Sequence, residues 1–346
     1  MIDYWKGSPA LERRLERVLA VISRTIEEAG FPFDDLEAAA GSGGKLLRPA
    51  LLLVGSEFGA EADPSRIERL AAAVELLHLA TLVHDDIIDE APIRRGKPSL
   101  HASVGTKEAV LAGDWLFSRC FLLGAESAGP ENARGLARLV AAVCSAEIAQ
   151  DAAKFAFDAT PRGYFRTIAG KTAALFSLAL YAGASEAKAG RKAEQSLRRS
   201  GYCIGMAFQV MDDILDFESE EGLARKPVGR DIAEGLCTLP LIYALRIDGP
   251  GMRAALAPLA ALRPTAPMSA LGPGAEGPAV APSGAERDSA ARDAAAKVIA
   301  LGALDRARED ARRFTARALG EIGALRRGPA RDELAALAER LLHRTY

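Results

Sequence analysis

The sequence is poor in the residues that build cross-linked, metal-caged or membrane-spanning proteins. Its 4 cysteines, Cys120, Cys144, Cys203 and Cys237, lie far apart with no CxxC pair. That argues against a disulfide framework or a zinc ribbon and leaves buried reduced thiols. Aromatic residues make up only 6%, and no stretch alternates apolar with polar side chains, so a sheet has little to build on. Neither sign of charge is in excess. The 44 Lys and Arg against 46 Asp and Glu give a net charge of −2, without the basic field of a nucleic-acid partner. Apolar runs are short: LLLVG at 51–55 falls far below the roughly 20 residues of a membrane span. The N-terminal MIDYWKGSPALERRLERVLAV is charged early and has no apolar core or small-residue cleavage site. No secretory signal is expected, and the expected location is cytoplasmic.

What is present points to a large helical core. Across 346 residues, 49% are hydrophobic, and Ala, Leu and Arg, all good helix formers, dominate. Ser8 and Pro9 suit the start of a helix on which Leu11, Leu15, Val18 and Ile22 recur at helical spacing. After the Gly41–Gly44 break a second helix begins at Leu46. Asp63-Pro64 opens a long, nearly uncharged segment that ends near Pro92 and is apolar on every face, as in a central buried helix. Further helices are expected over Ala109–Leu123, Gly135–Phe157, Pro161–Gly183 and Glu186–Asp216. From about 250 to 285 the texture turns to Pro, Gly, Ala and Ser, which reads as a flexible surface insertion. Amphipathic helices resume at Arg287. The simplest organisation is one all-α domain spanning 1–346 with that insertion.

The chemistry gathers in two segments of like pattern. The first is His84-Asp85-Asp86-Ile87-Ile88-Asp89, followed by Arg94-Arg95-Gly96; the second runs from Gln209 through Asp212-Asp213-Ile214-Leu215-Asp216. Both read DDxxD. On a helix these offsets lie within about 100° of arc, so each motif presents three carboxylates on one face. Such charges on otherwise apolar helices are costly until something neutralises them. Magnesium does so with a few carboxylates, several waters and substrate phosphates. A single DDxxD at a helix end is ordinarily a solvated feature. Two copies inside apolar helices, one trailed by two arginines, are not.

With these motifs the chain resembles the trans-isoprenyl diphosphate synthases, the polyprenyl synthetase family. Four more segments match in order: Gly43-Gly44-Lys45-Leu46-Leu47-Arg48-Pro49, Glu75-Leu76-Leu77-His78, Gly170-Lys171-Thr172-Ala173 and Lys226-Pro227-Val228-Gly229-Arg230-Asp231. The resemblance covers nearly the whole chain outside the 250–285 insertion. It implies an antiparallel helical bundle around a deep central cavity, with the two aspartate motifs facing each other at its mouth, and a homodimer. It implies that Asp85, Asp86, Asp89, Asp212, Asp213 and Asp216 order three Mg2+ ions, for which Mn2+ can substitute. Arg94, Lys171 and Lys226 match residues that grip an allylic diphosphate. Lys45, Arg48, His78 and Arg95 match those that hold isopentenyl diphosphate. Thr172 and Gln209 match groups whose oxygens face the developing allylic cation. His78, by itself, would ordinarily be a satisfied core histidine; its spacing before Asp85 sets it apart.

The implied reaction is a head-to-tail condensation of isopentenyl diphosphate with an allylic primer. The resemblance also implies that the product grows from Asp85 along its helix past Thr81, Ala80 and Leu77. Short-chain members block that path with an aromatic, and here both Ala80 and Thr81 are small. Glu147-Ile148-Ala149-Gln150 likewise resembles the long-chain branch. A product of about C35–C50 for a quinone tail is therefore expected, with Phe117, Phe121 or another bulky side chain as candidate pocket floor. Such a product could bring the protein to a membrane surface without making it integral to the membrane. Two positions depart from the family. Leu46 stands where a basic residue is common, and Leu236 where the family usually has Lys. The alternatives are a synthase ending at farnesyl or geranylgeranyl diphosphate and a non-catalytic subunit of a heteromeric synthase. A class I terpene cyclase is disfavoured, because its second metal motif normally carries Asn, Ser or Thr and Glu.

Overall fold

The computed structural model describes residues 5, 7–29, 45–94, 96–218, 228–263 and 284–343. They are helical but for one short ribbon, and they group into two compact units, each assembled from separate stretches of chain. The first comprises Met1–Val140, Leu175–Tyr202 and Gly320–Ala335; the second comprises Ala141–Ala174, Cys203–Leu319 and Ala336–Tyr346.

In the first unit the helix Pro9–Glu27 buries Leu11, Leu15, Val18 and Ile22, the expected stripe. Ser8 starts it without a side-chain cap, because its hydroxyl donates instead to Glu333. The helix Pro64–Ile88 is capped by Asp63, whose carboxylate accepts from the Ser65 and Arg66 amides at 3.0 and 3.4 Å. Buried side chains surround it from Ile67 to Val83, as its lack of a polar face requires. Its main neighbour is the helix Thr106–Ser127, with Leu47–Ser56 and Pro9–Glu27 on other sides. Leu47–Ser56 crosses Ala174–Glu186 backbone to backbone: a Cβ on Gly183 would sit 2.0 Å from the Leu52 carbonyl oxygen, and one on Gly55 2.5 Å from that of Leu180. Only glycine admits so close an approach. Ile93–Arg94 and Lys97–Pro98 form a two-stranded antiparallel ribbon, which the absence of alternation in the sequence did not announce.

In the second unit the expected Pro161–Gly183 helix is three pieces. An α-helix over Pro161–Ile168 passes into a π-helical turn at Ala169–Ala173 before Ala174–Glu186 continues. The helix Arg191–Glu218 carries its C-terminal half through this unit. The first part of the stretch expected as a flexible insertion is instead the helix Gly249–Ala260. Asp248 caps it by accepting from the Gly251 amide at 3.0 Å and pairs with Lys297. Met252, Leu256 and Leu259 enter a core with Ala291, Ala294, Ala295 and Val298. Apolar spacing overrode a Pro- and Gly-rich composition there. Residues 264–283 of the expected insertion, and the Gly41–Gly44 break, lie outside the described residues.

Candidate active site

The first aspartate motif occupies the C-terminal turn of Pro64–Ile88, with Asp89 as its C-cap. This is the negative end of the helix dipole, where carboxylates are least welcome. Asp86 is buried at 4% exposure, Asp85 is half-buried and Asp89 exposed. Arg94 answers the buried one: its Nε donates to both Asp86 oxygens, at 2.7 and 2.6 Å. The ribbon aims Arg94 back at the helix end, and Gly96, at φ 77°, makes the turn between its strands. Arg94 is thus a clamp on Asp86, while Arg95 lies outside the described residues. His84, beside the motif, stacks on Phe117 with ring centroids 5.5 Å apart and has Asp114 at 3.6 Å.

The residues matched to isopentenyl diphosphate binding start the helix Leu47–Ser56 and line the helix above. Lys45 is exposed, and its carbonyl is fixed by the buried Trp5 indole at 2.7 Å. Leu46 adopts a left-handed conformation, φ 48°, with its side chain buried. The position where the family commonly has a basic residue therefore holds a buried leucine. Arg48 lies over the Phe176 ring at 5.3 Å, and His78 is half-buried.

The second motif is bound into a chain of hydrogen bonds. The Thr172 hydroxyl donates to Gln209 Oε1 at 2.6 Å, Gln209 Nε2 donates to Asp213 Oδ1 at 2.8 Å, and the Tyr164 hydroxyl donates to Asp213 Oδ2 at 2.5 Å. Asp213 is buried at 5% exposure. Burial drives its carboxyl up to about 7, assisted by the charges of Asp212 and Asp216 and opposed by the Tyr164 and Gln209 hydrogen bonds. Burial and Asp216 likewise hold Asp231 well above the carboxylate range. The Asp231 amide donates to Asp216 Oδ2 at 3.2 Å. Lys171, in the π turn, pairs with Glu147 at 2.7 Å. Lys226 lies outside the described residues.

These donors suit magnesium. Among the described residues no three His, Cys, Asp or Glu side chains converge into a self-sufficient cage, and Mg2+ that keeps waters and shares substrate oxygens needs none. Every motif donor is a hard oxygen. Burial, with the charges of Asp212 and Asp216, pushes Asp213 toward its neutral form, and a divalent cation would favour the carboxylate.

Sequence reading found the aspartates, Lys171, Thr172 and Gln209 but gave no role to Tyr164, to Glu147 as a lysine partner, or to Asp231 as a further carboxylate. A Tyr seven residues before the Lys-Thr pair is a signal only once its partner is known. Along the proposed product path, Leu77 and Ala80 are fully buried, and Thr81 is half-buried with its hydroxyl on the His78 carbonyl at 2.8 Å. The Cys120 sulfur hydrogen-bonds the Leu77 backbone, and burial raises its thiol to about 12. Phe117 sits level with His84, and Phe121 is 39% exposed. Leu236 is half-buried, with its amide on the Asp231 carbonyl at 2.8 Å. No helix among the described residues is long and apolar enough to cross a membrane.

Comparison with known proteins agrees with these features. Residues 34–268 match the model of the polyprenyl synthetase family, a span that holds both aspartate motifs and every matched basic residue. Heptaprenyl diphosphate synthase component 2 of Geobacillus stearothermophilus is 39% identical over 68% of this chain and 72% of its own length. Nonaprenyl diphosphate synthase of Mycobacterium tuberculosis is 32% identical over 94% of this chain and 90% of its own. The crystal structure of geranylgeranyl pyrophosphate synthase from Lactobacillus brevis superposes with a TM-score of 0.84 at 30% identity, covering 99% of this chain and 100% of that one. A motif set carried on this fold and matched over two thirds of the sequence places the chain in the polyprenyl synthetase family.

Proposed function

We propose that the chain is a magnesium-dependent trans-polyprenyl diphosphate synthase, a prenyltransferase that adds isopentenyl diphosphate units to an allylic diphosphate and makes a long product of about C35–C50. The observation that carries this is the burial of one carboxylate in each aspartate motif, Asp86 in the last turn of Pro64–Ile88 and Asp213 in Arg191–Glu218. Arg94 already pairs with Asp86, whereas among the described residues Asp213 receives only the neutral donors Tyr164 and Gln209, and a divalent cation would stabilise both carboxylates. Asp85, Asp86 and Asp89, and Asp212, Asp213 and Asp216, would hold Mg2+ ions, three in all. Bound magnesium supplies the positive charge that a departing diphosphate requires.

The chain's own residues do the rest. Arg94 and Lys171 exchange Asp86 and Glu147 for oxygens of the allylic diphosphate as the substrate enters, and Lys226 is matched to the same role. Lys45, Arg48, His78 and Arg95 hold isopentenyl diphosphate. The allylic carbon–oxygen bond breaks and pyrophosphate leaves with the electron pair. Gln209 and Thr172 oxygens face the cation left behind, and the apolar helices keep water from quenching it. The isopentenyl double bond then forms the new carbon–carbon bond, and the proton lost goes to the released pyrophosphate. The long-chain length rests on small Ala80 and Thr81 and on the heptaprenyl and nonaprenyl relatives. We place the enzyme in the cytoplasm as a homodimer that meets membranes only through its product. The "component 2" in one relative's name favours a second reading, a subunit of a heteromer.

Incubation with Mg2+, isopentenyl diphosphate and farnesyl or geranylgeranyl diphosphate, with products sized after dephosphorylation, tests the proposal. A ladder well beyond C20 is expected. Products stopping at C15 or C20 overturn the length, and no elongation by folded protein with either primer overturns the catalytic reading in favour of the subunit.

A further inference from the structure

The aromatic side chain that touches Asp213 belongs to no motif matched above. Tyr164 lies in the helix Pro161–Ile168, buried among Ile168, Ala173, Met206, Val210 and Ile214. Its ring packs edge-on against Phe165, which in turn meets Phe314. The ring is therefore fixed, and its one polar atom is spent on Asp213 Oδ2. From the other side Gln209 Nε2 reaches Oδ1, with Gln209 itself aligned by Thr172. Each carboxylate oxygen thus receives one donor, and the two donors come from different elements, so the plane of the carboxylate cannot swing.

The backbone is adapted to this. Tyr164 and Thr172 are eight residues apart, which on an uninterrupted α-helix turns them about 80° away from each other. The π turn at Ala169–Ala173 takes in one extra residue and turns the later side chains back by about 100°, so that the two are only about 20° apart. Both hydroxyls then reach one face of Arg191–Glu218, where Gln209 and Asp213 stand one turn apart.

We propose that Tyr164 is a positioning residue for the second metal-binding motif: it locks Asp213 so that the lone pairs left on the carboxylate point toward the cation, and together with Gln209 it ties that motif to Thr172. This rests on the proposed magnesium-dependent diphosphate chemistry. A hydroxyl serving only to satisfy a buried ring would affect stability and nothing else.

The test is calorimetric titration of inorganic pyrophosphate into wild type and Tyr164→Phe across a magnesium series, alongside melting temperature and elongation kinetics. The folded variant is expected to need about 10- to 100-fold more Mg2+ for half-maximal pyrophosphate binding, the usual scale for losing a partner of a metal ligand. Its KM for isopentenyl diphosphate should be unchanged, and added Mg2+ should restore its turnover. Thr172→Val, at the far end of the chain, should shift the same constant less, and Thr172→Ser should restore it. This second pair decides the matter if Tyr164→Phe does not fold. Unchanged magnesium dependence in folded variants, beside a wild type that binds pyrophosphate with Mg2+, overturns the positioning role alone. A wild type without magnesium-dependent pyrophosphate binding overturns both this role and the proposed function.

Discussion

Replacing Asp213 with Asn should stabilise the metal-free protein while destroying its activity. The folded structure carries this carboxyl from 3.8, its ordinary value, to about 7, so the native state holds a proton that the unfolded chain releases. A raised acid contributes its full stability below about pH 4 and loses it progressively as pH climbs through 7. At 1.36 kcal/mol per pH unit, the ceiling on the loss is on the order of 4 kcal/mol. Asn is nearly isosteric and uncharged. It can accept from Gln209 and donate to the Tyr164 oxygen, so it keeps the packing and drops the penalty. About half of that loss has already occurred by pH 5.5, so thermal melts in a chelator should show Asp213→Asn above wild type there by about half of the full difference. At pH 8.5 the variant should melt higher still, by about 8–16 °C at that ceiling and 2–4 °C per kcal/mol. With Mg2+ and pyrophosphate the order should reverse, because only the carboxylate gains from the cation. A variant that melts at or below wild type at pH 8.5 without metal would refute the argument that Asp213 is an electrostatic liability held for function.

Ala80→Phe should shorten the product to C20 or less, since the ring stands five residues before Asp85, about one and a half helical turns. Product sizing reads this, with a melting curve to show that the fully buried site tolerates the ring. Gly183→Ala should cost about 1–3 kcal/mol or more, the usual range for overpacking, because the new methyl meets the Leu52 carbonyl oxygen at 2.0 Å; urea denaturation measures it. Leu236→Lys, restoring the family's usual charge, should lower KM for a diphosphate substrate several-fold without changing product length. A steady-state comparison that finds KM unmoved or raised removes Leu236 as the reason for any weak binding.

What the sequence showed and what it withheld divide along a physical line. The aspartate motifs were legible because three carboxylates on an apolar helix break a local rule, and a broken local rule needs no knowledge of the fold to be seen. The buried helix Pro64–Ile88 was legible for the converse reason, having no polar face to expose. Tyr164 broke no rule. An aromatic residue in an amphipathic helix is ordinary core, and its meaning lies in a carboxylate 49 residues away. Glu147 was noticed only as a mark of chain length and not as the partner of Lys171, since that pairing exists only in the folded protein. The π turn has no composition of its own, yet without it Tyr164 and Thr172 would face different directions. Gly249–Ala260 was hidden by its company: the apolar spacing of Met252, Leu256 and Leu259 was present, but the Pro and Gly around it read as loop. The charged groups of such a site therefore announce themselves by their cost. The uncharged groups that hold them in place obey every local rule, and they become visible only when the donor and the oxygen it serves are seen at 2.5 Å.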